Sequence, residues 1–121
     1  DLHSFPTRRS SDLRTLDPEV LTRHGAVSGE CARAMAEGVL RLYGASLAVA
    51  VTGIAGPGGG SEEKPTGTVW FAVASMEEGG VRSSAFLRNL RGDRDGVRER
   101  AVACALSALW RAAKDTKPGG R

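Results

Sequence analysis

Two apolar runs flank the stretch Val51-Thr52-Gly53-Ile54-Ala55-Gly56-Pro57-Gly58-Gly59-Gly60-Ser61-Glu62-Glu63-Lys64-Pro65-Thr66-Gly67-Thr68. The runs cover residues 47–51 and 69–74, and neither alternates apolar with polar residues. Such runs are typical of strands that helices cover on both faces. Glycine is favoured where the backbone needs a positive φ or where another group approaches it closely. Open α/β sheets bind their ligands beyond the ends of their strands. The stretch therefore predicts a loop that forms one wall of a ligand site.

The loop matches neither of the two common phosphate-binding glycine motifs. No Gly-Lys-Ser/Thr follows the glycines, and the next segment returns to strand instead of opening a helix. Successive backbone N–H groups could still hold a phosphate, and the alternative is a long, mobile hairpin connection. Thr52 is either a reacting group at a strand end or an ordinary β-branched strand residue. Lys64 either binds phosphate or pairs with a neighbouring glutamate.

Three helices are predicted around these strands. Asp17 and Gly25 bound a short one, and Ser28 and Gly44 bound a longer one over residues 29–43 with a single apolar stripe. The third covers about residues 94–113, follows Asp93 as its N-cap, and has a wide apolar face that should lie flat on the sheet.

The segment Glu77-Glu78-Gly79-Gly80 predicts a hairpin turn, followed by a more polar strand over residues 81–88 near a sheet edge. A hairpin makes its two strands antiparallel, so we expect a mixed sheet rather than a purely parallel one. The residues thus indicate an α/β domain.

Arg94 and Arg98 begin the last helix and lie four residues apart, so they share a face. Arginine binds phosphate and carboxylate in a bidentate manner, and a helix N-terminus favours anions. A cation at a helix N-terminus is locally unfavourable, because the helix dipole is positive there. The presence of Arg94 at this position therefore indicates that it binds an anionic ligand. The alternative is pairing with Asp93 or Asp95.

The composition excludes several classes of protein. The chain has 121 residues, 40% hydrophobic and 26% charged, which is typical of one small globular domain. Most of its net charge of +3 comes from the tail over residues 114–121, so we expect no nucleic-acid partner. We expect no metal site, no cofactor, no signal peptide and no membrane partner. We also expect both cysteines to be reduced thiols, in a cytoplasmic setting. Residues 1–13 have no regular periodicity and are predicted to be a disordered or non-native arm.

Four motifs, taken together and in this order, resemble the CinA C-terminal domain family, which includes nicotinamide mononucleotide deamidases. They are His24-Gly25-Ala26-Val27-Ser28, Thr52 to Gly60, Lys64-Pro65-Thr66-Gly67-Thr68-Val69, and Gly92-Asp93-Arg94 with Arg98. The resemblance covers about residues 14–113. It implies a three-layer α/β/α fold, incomplete at its N-terminus, and hydrolysis of nicotinamide mononucleotide to nicotinate mononucleotide and ammonia, a step of pyridine nucleotide salvage.

The same resemblance implies the site residues. Thr52 would support catalysis, and substrate would bind to Gly53, Ala55, Gly56, Pro57, Gly59, Gly60, Arg94 and Arg98. The family's serine nucleophile and activating lysine lie in Glu-Ser-Cys-Thr-Gly-Gly-like and Tyr-Ser-Asn-x-x-Lys-like segments, and neither occurs here. A nucleophile needs its base in contact, so the chain alone is predicted to be inactive and to expose apolar surface through which it self-associates. The alternative function is a regulatory domain that binds a nucleotide without turnover.

Overall fold

The computed structural model describes residues 2–3, 18–54 and 67–115. In chain order the elements are β1 (Leu2–His3), α1 (Pro18–His24), α2 (Gly29–Tyr43), β2 (Leu47–Gly53), β3 (Thr68–Glu77), β4 (Gly80–Asn89) and α3 (Arg94–Asp115). The strands form one sheet in the order β1-β2-β3-β4. Helix α2 packs on one face of this sheet and α3 on the other, which confirms the three-layer α/β/α arrangement.

Helix α2 begins and ends where the sequence predicts. The side chain of Ser28 accepts a hydrogen bond from the backbone N–H of Cys31 at 3.1 Å, and its hydroxyl donates to the carbonyl of Gly25 at 2.9 Å. Gly44 ends the helix in the left-handed conformation, with φ of 64°, and its N–H donates to the Leu40 carbonyl. A polar N-cap and a C-terminal glycine thus fix both ends of the helix.

Ser28→Ala is expected to lower the free energy of unfolding by about 1 kcal/mol, because it removes the cap acceptor for the Cys31 N–H. Urea denaturation followed by circular dichroism measures this loss. Ser107→Ala, at an exposed position of α3, is the matched control and should change stability by less than about 0.5 kcal/mol. Equal stability of the two variants would show that the cap contributes nothing.

The sheet is built from consecutive antiparallel strands. β2 pairs with β3 from Leu47 opposite Ser75 to Gly53 opposite Val69, and β3 pairs with β4 across the predicted tight turn. Each pairing among the described strands is antiparallel, so the parallel component of the expected mixed sheet is not seen there. The reason is that β2 and β3, like β3 and β4, are neighbours both in sequence and in the sheet, without a crossover helix between them.

Two separate cores lie on the two faces of the sheet. On the α2 face, small residues of β2 and β3 pack against Met35 and Leu40, and the buried set is Cys31, Ala32, Met35, Ala36, Leu40, Ala48, Ala50, Ala72 and Ala74. On the α3 face the buried set is Val51, Val69, Phe71, Val97, Ala101 and Ala105. The Phe71 ring stacks on that of Phe86, with centroids 5.0 Å apart. Both central strands are therefore covered on both faces, as their unbroken apolar runs predict.

Three details differ from the sequence predictions. Leu2–His3 form a short strand opposite Gly53 and Thr52, although no regular structure was expected for residues 1–13. Helix α3 extends to Asp115, two residues beyond its predicted end. Only one stripe of α3 is buried, while Val102, Leu106 and Trp110 are exposed, so the wide apolar face is not fully covered by the sheet.

No helix among the described residues is long and apolar enough to cross a membrane.

Candidate functional site

Several chain termini meet at one end of the sheet, which we call the site end. β2 ends there at Gly53, β3 begins at Thr68, and β4 ends at Asn89. Helix α2 runs back along β2, because a short connection joins its C-terminus to the start of β2, and its first residue Gly29 packs on Trp70 at this end. Helix α3 also begins here, shortly after β4 ends. The site end thus combines strand termini with two helix N-termini, a combination that suits anionic ligands.

The glycine-rich loop is closed at its base by backbone hydrogen bonds. The Ile54 N–H donates to the Thr68 carbonyl at 2.9 Å, and the Gly67 N–H donates to the Ile54 carbonyl at 2.6 Å. The Leu90 N–H donates to the Gly67 carbonyl at 2.8 Å, which joins the loop base to the end of β4. A Cβ atom at Gly53 would lie 2.8 Å from the Thr68 carbonyl oxygen, so this position requires glycine. The loop therefore starts and ends at fixed positions at the site end.

Most predicted loop contacts lie outside the described residues. They are Ala55, Gly56, Pro57, Gly59, Gly60 and Lys64. Of the predicted loop glycines in the substrate-binding set, the structure describes Gly53 alone.

Thr52 is fully buried on the α2 face of the sheet. Its hydroxyl donates to the carbonyl oxygen of Ala26 at 2.9 Å, which holds the connection between α1 and α2 against the end of β2. The proton of the hydroxyl is therefore used in this bond, whereas its oxygen can still accept one. In this arrangement Thr52 can orient a neighbouring group or accept a hydrogen bond from it.

Sequence reasoning missed two residues beside Thr52. Trp70 lies directly opposite Thr52 in the sheet, and Thr68 lies on the same face two residues earlier in β3. Thr68 is 4% exposed, and its hydroxyl has no hydrogen-bond partner among the described residues. A buried hydroxyl without a partner costs about 1–3 kcal/mol. The sequence signals were the position of both residues at the start of the strand that leaves the glycine loop, and the presence of Thr68 in one of the four motifs described above.

A cavity of about 500 Å³ opens beside Trp70 and the first turn of α2. Its lining residues are Gly29, Glu30, Arg33, Trp70, Ser83, Ser84 and Ala85. The Nε of Arg33 donates to the Ser83 hydroxyl at 3.1 Å, and that hydroxyl donates to the Glu37 carboxylate. The wall of the cavity is thus a half-buried indole, and a polar network spans from α2 to β4.

Arg94 and Arg98 are exposed and lie one turn apart at the start of α3. Because α3 packs on the opposite face of the sheet from α2, the structure brings these arginines and Thr52 to the same end but to different faces. Asp93 caps α3, and its Oδ1 accepts a hydrogen bond from the Gly96 N–H at 2.8 Å. The Asp93 side chain is therefore engaged with the helix backbone.

The remaining titratable groups form no metal-binding cluster in the part of the chain that the structure describes. No group of three or more His, Cys, Asp and Glu side chains there could hold a metal ion. His24 lies at the end of α1 with its Nδ1 3.8 Å from Glu30 Oε1, and Cys31 and Cys104 are free thiols.

The fold is that of a small α/β/α domain, with strand termini and two helix N-termini at one end of its sheet. A model of the CinA C-terminal domain family matches residues 5–113. The chain belongs to the CinA C-terminal domain family.

Relatives of known sequence agree with this assignment. The nicotinamide-nucleotide amidohydrolase PncC of Escherichia coli K12 is 53% identical over 93 residues, which cover 76% of this chain and 54% of that protein. A putative competence-damage inducible protein of Symbiobacterium thermophilum is 55% identical over 113 residues, covering 89% of this chain and 26% of that protein. The chain therefore spans about half the length of the first relative and about a quarter of the second.

Solved structures show the same fold. The competence damage-inducible protein A from Klebsiella pneumoniae superposes with a TM-score of 0.78 at 35% identity, covering 94% of this chain and 68% of that one. A competence/damage inducible protein from Agrobacterium tumefaciens gives a TM-score of 0.71 at 40% identity, covering 86% and 63% of the two chains.

Proposed function

We propose that this domain belongs to an amidohydrolase that converts nicotinamide mononucleotide to nicotinate mononucleotide and ammonia. The observation that carries the proposal is the 53% identity to the E. coli nicotinamide-nucleotide amidohydrolase over 76% of the chain. The site end is consistent with such a substrate, because it combines a glycine-rich loop base, two helix N-termini and two exposed arginines.

In this proposal the substrate's phosphate binds to the glycine-rich loop together with Arg94 and Arg98. Backbone N–H groups and arginine forks are the donors that phosphate prefers. The pyridine ring packs on the half-buried face of Trp70, since aromatic side chains bury large apolar area with defined geometry. Thr68 lies on the same sheet face as this indole, where its unpartnered hydroxyl can contact the carboxamide. Thr52 has a positioning role, because its bond to Ala26 holds the connection between α1 and α2.

Hydrolysis replaces the amide nitrogen of the substrate with an oxygen from water, and releases ammonia. By the family resemblance, a serine performs the first attack and a lysine takes its proton, and the segments that carry them do not occur in this sequence. This chain would therefore bind and position the substrate, while the bond is broken by groups outside it. Thr52 cannot replace the serine, because it is fully buried and bonded to Ala26.

The test compares this chain with a version in which the serine-bearing and lysine-bearing segments precede residue 14. Ammonia release from nicotinamide mononucleotide is measured with a coupled assay, and nicotinate mononucleotide by chromatography. We expect turnover only in the extended version. An extended, folded and soluble protein that binds the mononucleotide without turnover would instead support the regulatory nucleotide-binding function.

Thr68→Val should distinguish a ligand contact from a purely structural threonine. The change keeps the shape of the side chain but removes the unpartnered buried hydroxyl, so the ligand-free protein should become more stable by about 1 kcal/mol. If the hydroxyl contacts substrate, the same variant should bind the mononucleotide about fivefold to tenfold more weakly. Denaturant titration and calorimetry measure the two effects. Unchanged affinity would remove Thr68 from the site.

A further inference from the structure

The cavity beside Trp70, of about 500 Å³, has an aromatic wall. Trp70 is half-buried, so part of its indole remains open to the cavity. Among the described residues no lysine or arginine lies over this ring, whereas Lys114 Nζ lies 4.4 Å from the ring centre of the other indole, that of Trp110. Aromatic side chains bind flat rings through offset-stacked or edge-to-face contacts. The wall therefore suits a ligand that carries a ring.

The guanidinium of Arg33 lines the same cavity and is fixed by a chain of hydrogen bonds. Its Nε donates to the Ser83 hydroxyl at 3.1 Å, and that hydroxyl donates to the carboxylate of Glu37. The two terminal nitrogens of Arg33 have no hydrogen-bond or salt-bridge partner among the described residues. A guanidinium that is held by Nε and open at both terminal nitrogens has the geometry to bind a carboxylate in a bidentate manner.

Each of the two carboxylates near this cavity already has a basic neighbour. Oε1 of Glu30, a lining residue, lies 3.8 Å from Nδ1 of His24. Oε1 of Glu37 lies 3.8 Å from Nη1 of Arg41, and its other oxygen accepts the bond from the serine hydroxyl. The first turn of α2 also presents the positive end of the helix dipole. The cavity therefore favours an anion over a cation.

We infer that this cavity binds a small aromatic carboxylate, with its ring on Trp70 and its carboxylate on Arg33. Gly29, which packs on the indole, and Arg33 are one turn apart on α2, which is about 6 Å along the helix axis. A single ring with one carboxylate substituent fits this separation. Such a ligand needs neither a phosphate nor the glycine-rich loop, so the inference does not rest on the function proposed above.

NMR titration of the isotopically labelled chain with benzoate tests this inference. We expect saturable shifts of the Trp70 indole N–H and Gly29 amide signals, with a dissociation constant of about 1 mM, which is reasonable for so small a ligand. Benzamide has the same shape without the charge, and acetate has the charge without the ring. Each should bind at least about fivefold more weakly than benzoate.

Arg33→Gln should lower the affinity for benzoate to that for benzamide, because it removes the cation. The side chain is exposed, so the variant should fold, and circular dichroism verifies this. Arg111→Gln is the matched control, since Arg111 is an exposed arginine on α3, which packs on the other face of the sheet. It changes the net charge equally and should leave the affinity for benzoate unchanged.

Three results would each overturn the inference. The first is a folded chain whose Trp70 signal shows no saturable shift with benzoate. The second is an affinity for benzoate equal to that for benzamide or for acetate, because the carboxylate or the ring would then make no contact. The third is an affinity for benzoate that Arg33→Gln lowers no more than Arg111→Gln does.

Discussion

Replacing Gly67 with alanine is expected to lower the free energy of unfolding by about 3 kcal/mol. Gly67 has φ of 95°, a conformation that side chains with a Cβ rarely adopt. The added Cβ would also collide with the carbonyl oxygen of Leu90, a backbone atom that cannot turn away. Because the Gly67 carbonyl accepts a hydrogen bond from the Leu90 N–H, relief of the clash would break the link between the loop base and β4.

Gly79→Ala is the control for the Gly67 variant. Gly79 lies in the tight turn between β3 and β4, and a Cβ atom added there would have no neighbour within 4 Å. Its replacement should change stability by less than about 0.5 kcal/mol. Urea denaturation of the two variants measures the difference. If Gly67→Ala cost no more than Gly79→Ala, the loop base would be free to relax and could not hold the glycine-rich loop in a fixed position.

Arg94→Ala is expected to weaken the binding of nicotinamide mononucleotide by about thirtyfold, or about 2 kcal/mol, since it removes a charge-assisted contact to phosphate. Arg94→Lys keeps the charge but loses the bidentate geometry, so its affinity should fall between those of the native chain and Arg94→Ala.

Arg111→Ala is the matched control for this prediction. Arg111 is an exposed arginine on the same helix, about 25 Å from Arg94 along the helix axis. Its loss changes the net charge by the same amount but removes no group from the site end. Equal affinities of the Arg94 and Arg111 variants for the mononucleotide would mean that Arg94 contributes only long-range charge, and would argue against its role at the phosphate.

Local signals in the sequence predicted the elements of this fold well. The bounds of α2 followed from Ser28 and Gly44, and the tight turn followed from Glu77 to Gly80, because caps and turns depend on neighbouring residues. The unbroken apolar runs predicted strands covered on both faces, and the two cores confirm it. A wide apolar face on α3 could also be read from the sequence, but which part of it the sheet would cover could not.

The site was less accessible to sequence reasoning, because its geometry depends on residues that are distant in the chain. The partner of the Thr52 hydroxyl is the carbonyl of Ala26, and nothing in the sequence near Thr52 indicates this contact. Gly29 is packed against Trp70, with an added Cβ only 3.0 Å from the indole, and this contact joins α2 to β3. The unpartnered hydroxyl of Thr68 likewise follows from burial, which is a property of the assembled fold.

The central claim is that the site end of this domain binds a nicotinamide mononucleotide through its phosphate. Isothermal titration calorimetry of the chain with nicotinamide mononucleotide, and in parallel with nicotinamide riboside, tests it most directly. We predict saturable binding of the mononucleotide and at least about tenfold weaker binding of the riboside, which lacks the phosphate. No binding of the mononucleotide by the folded chain, or equal binding of the two compounds, would contradict the claim.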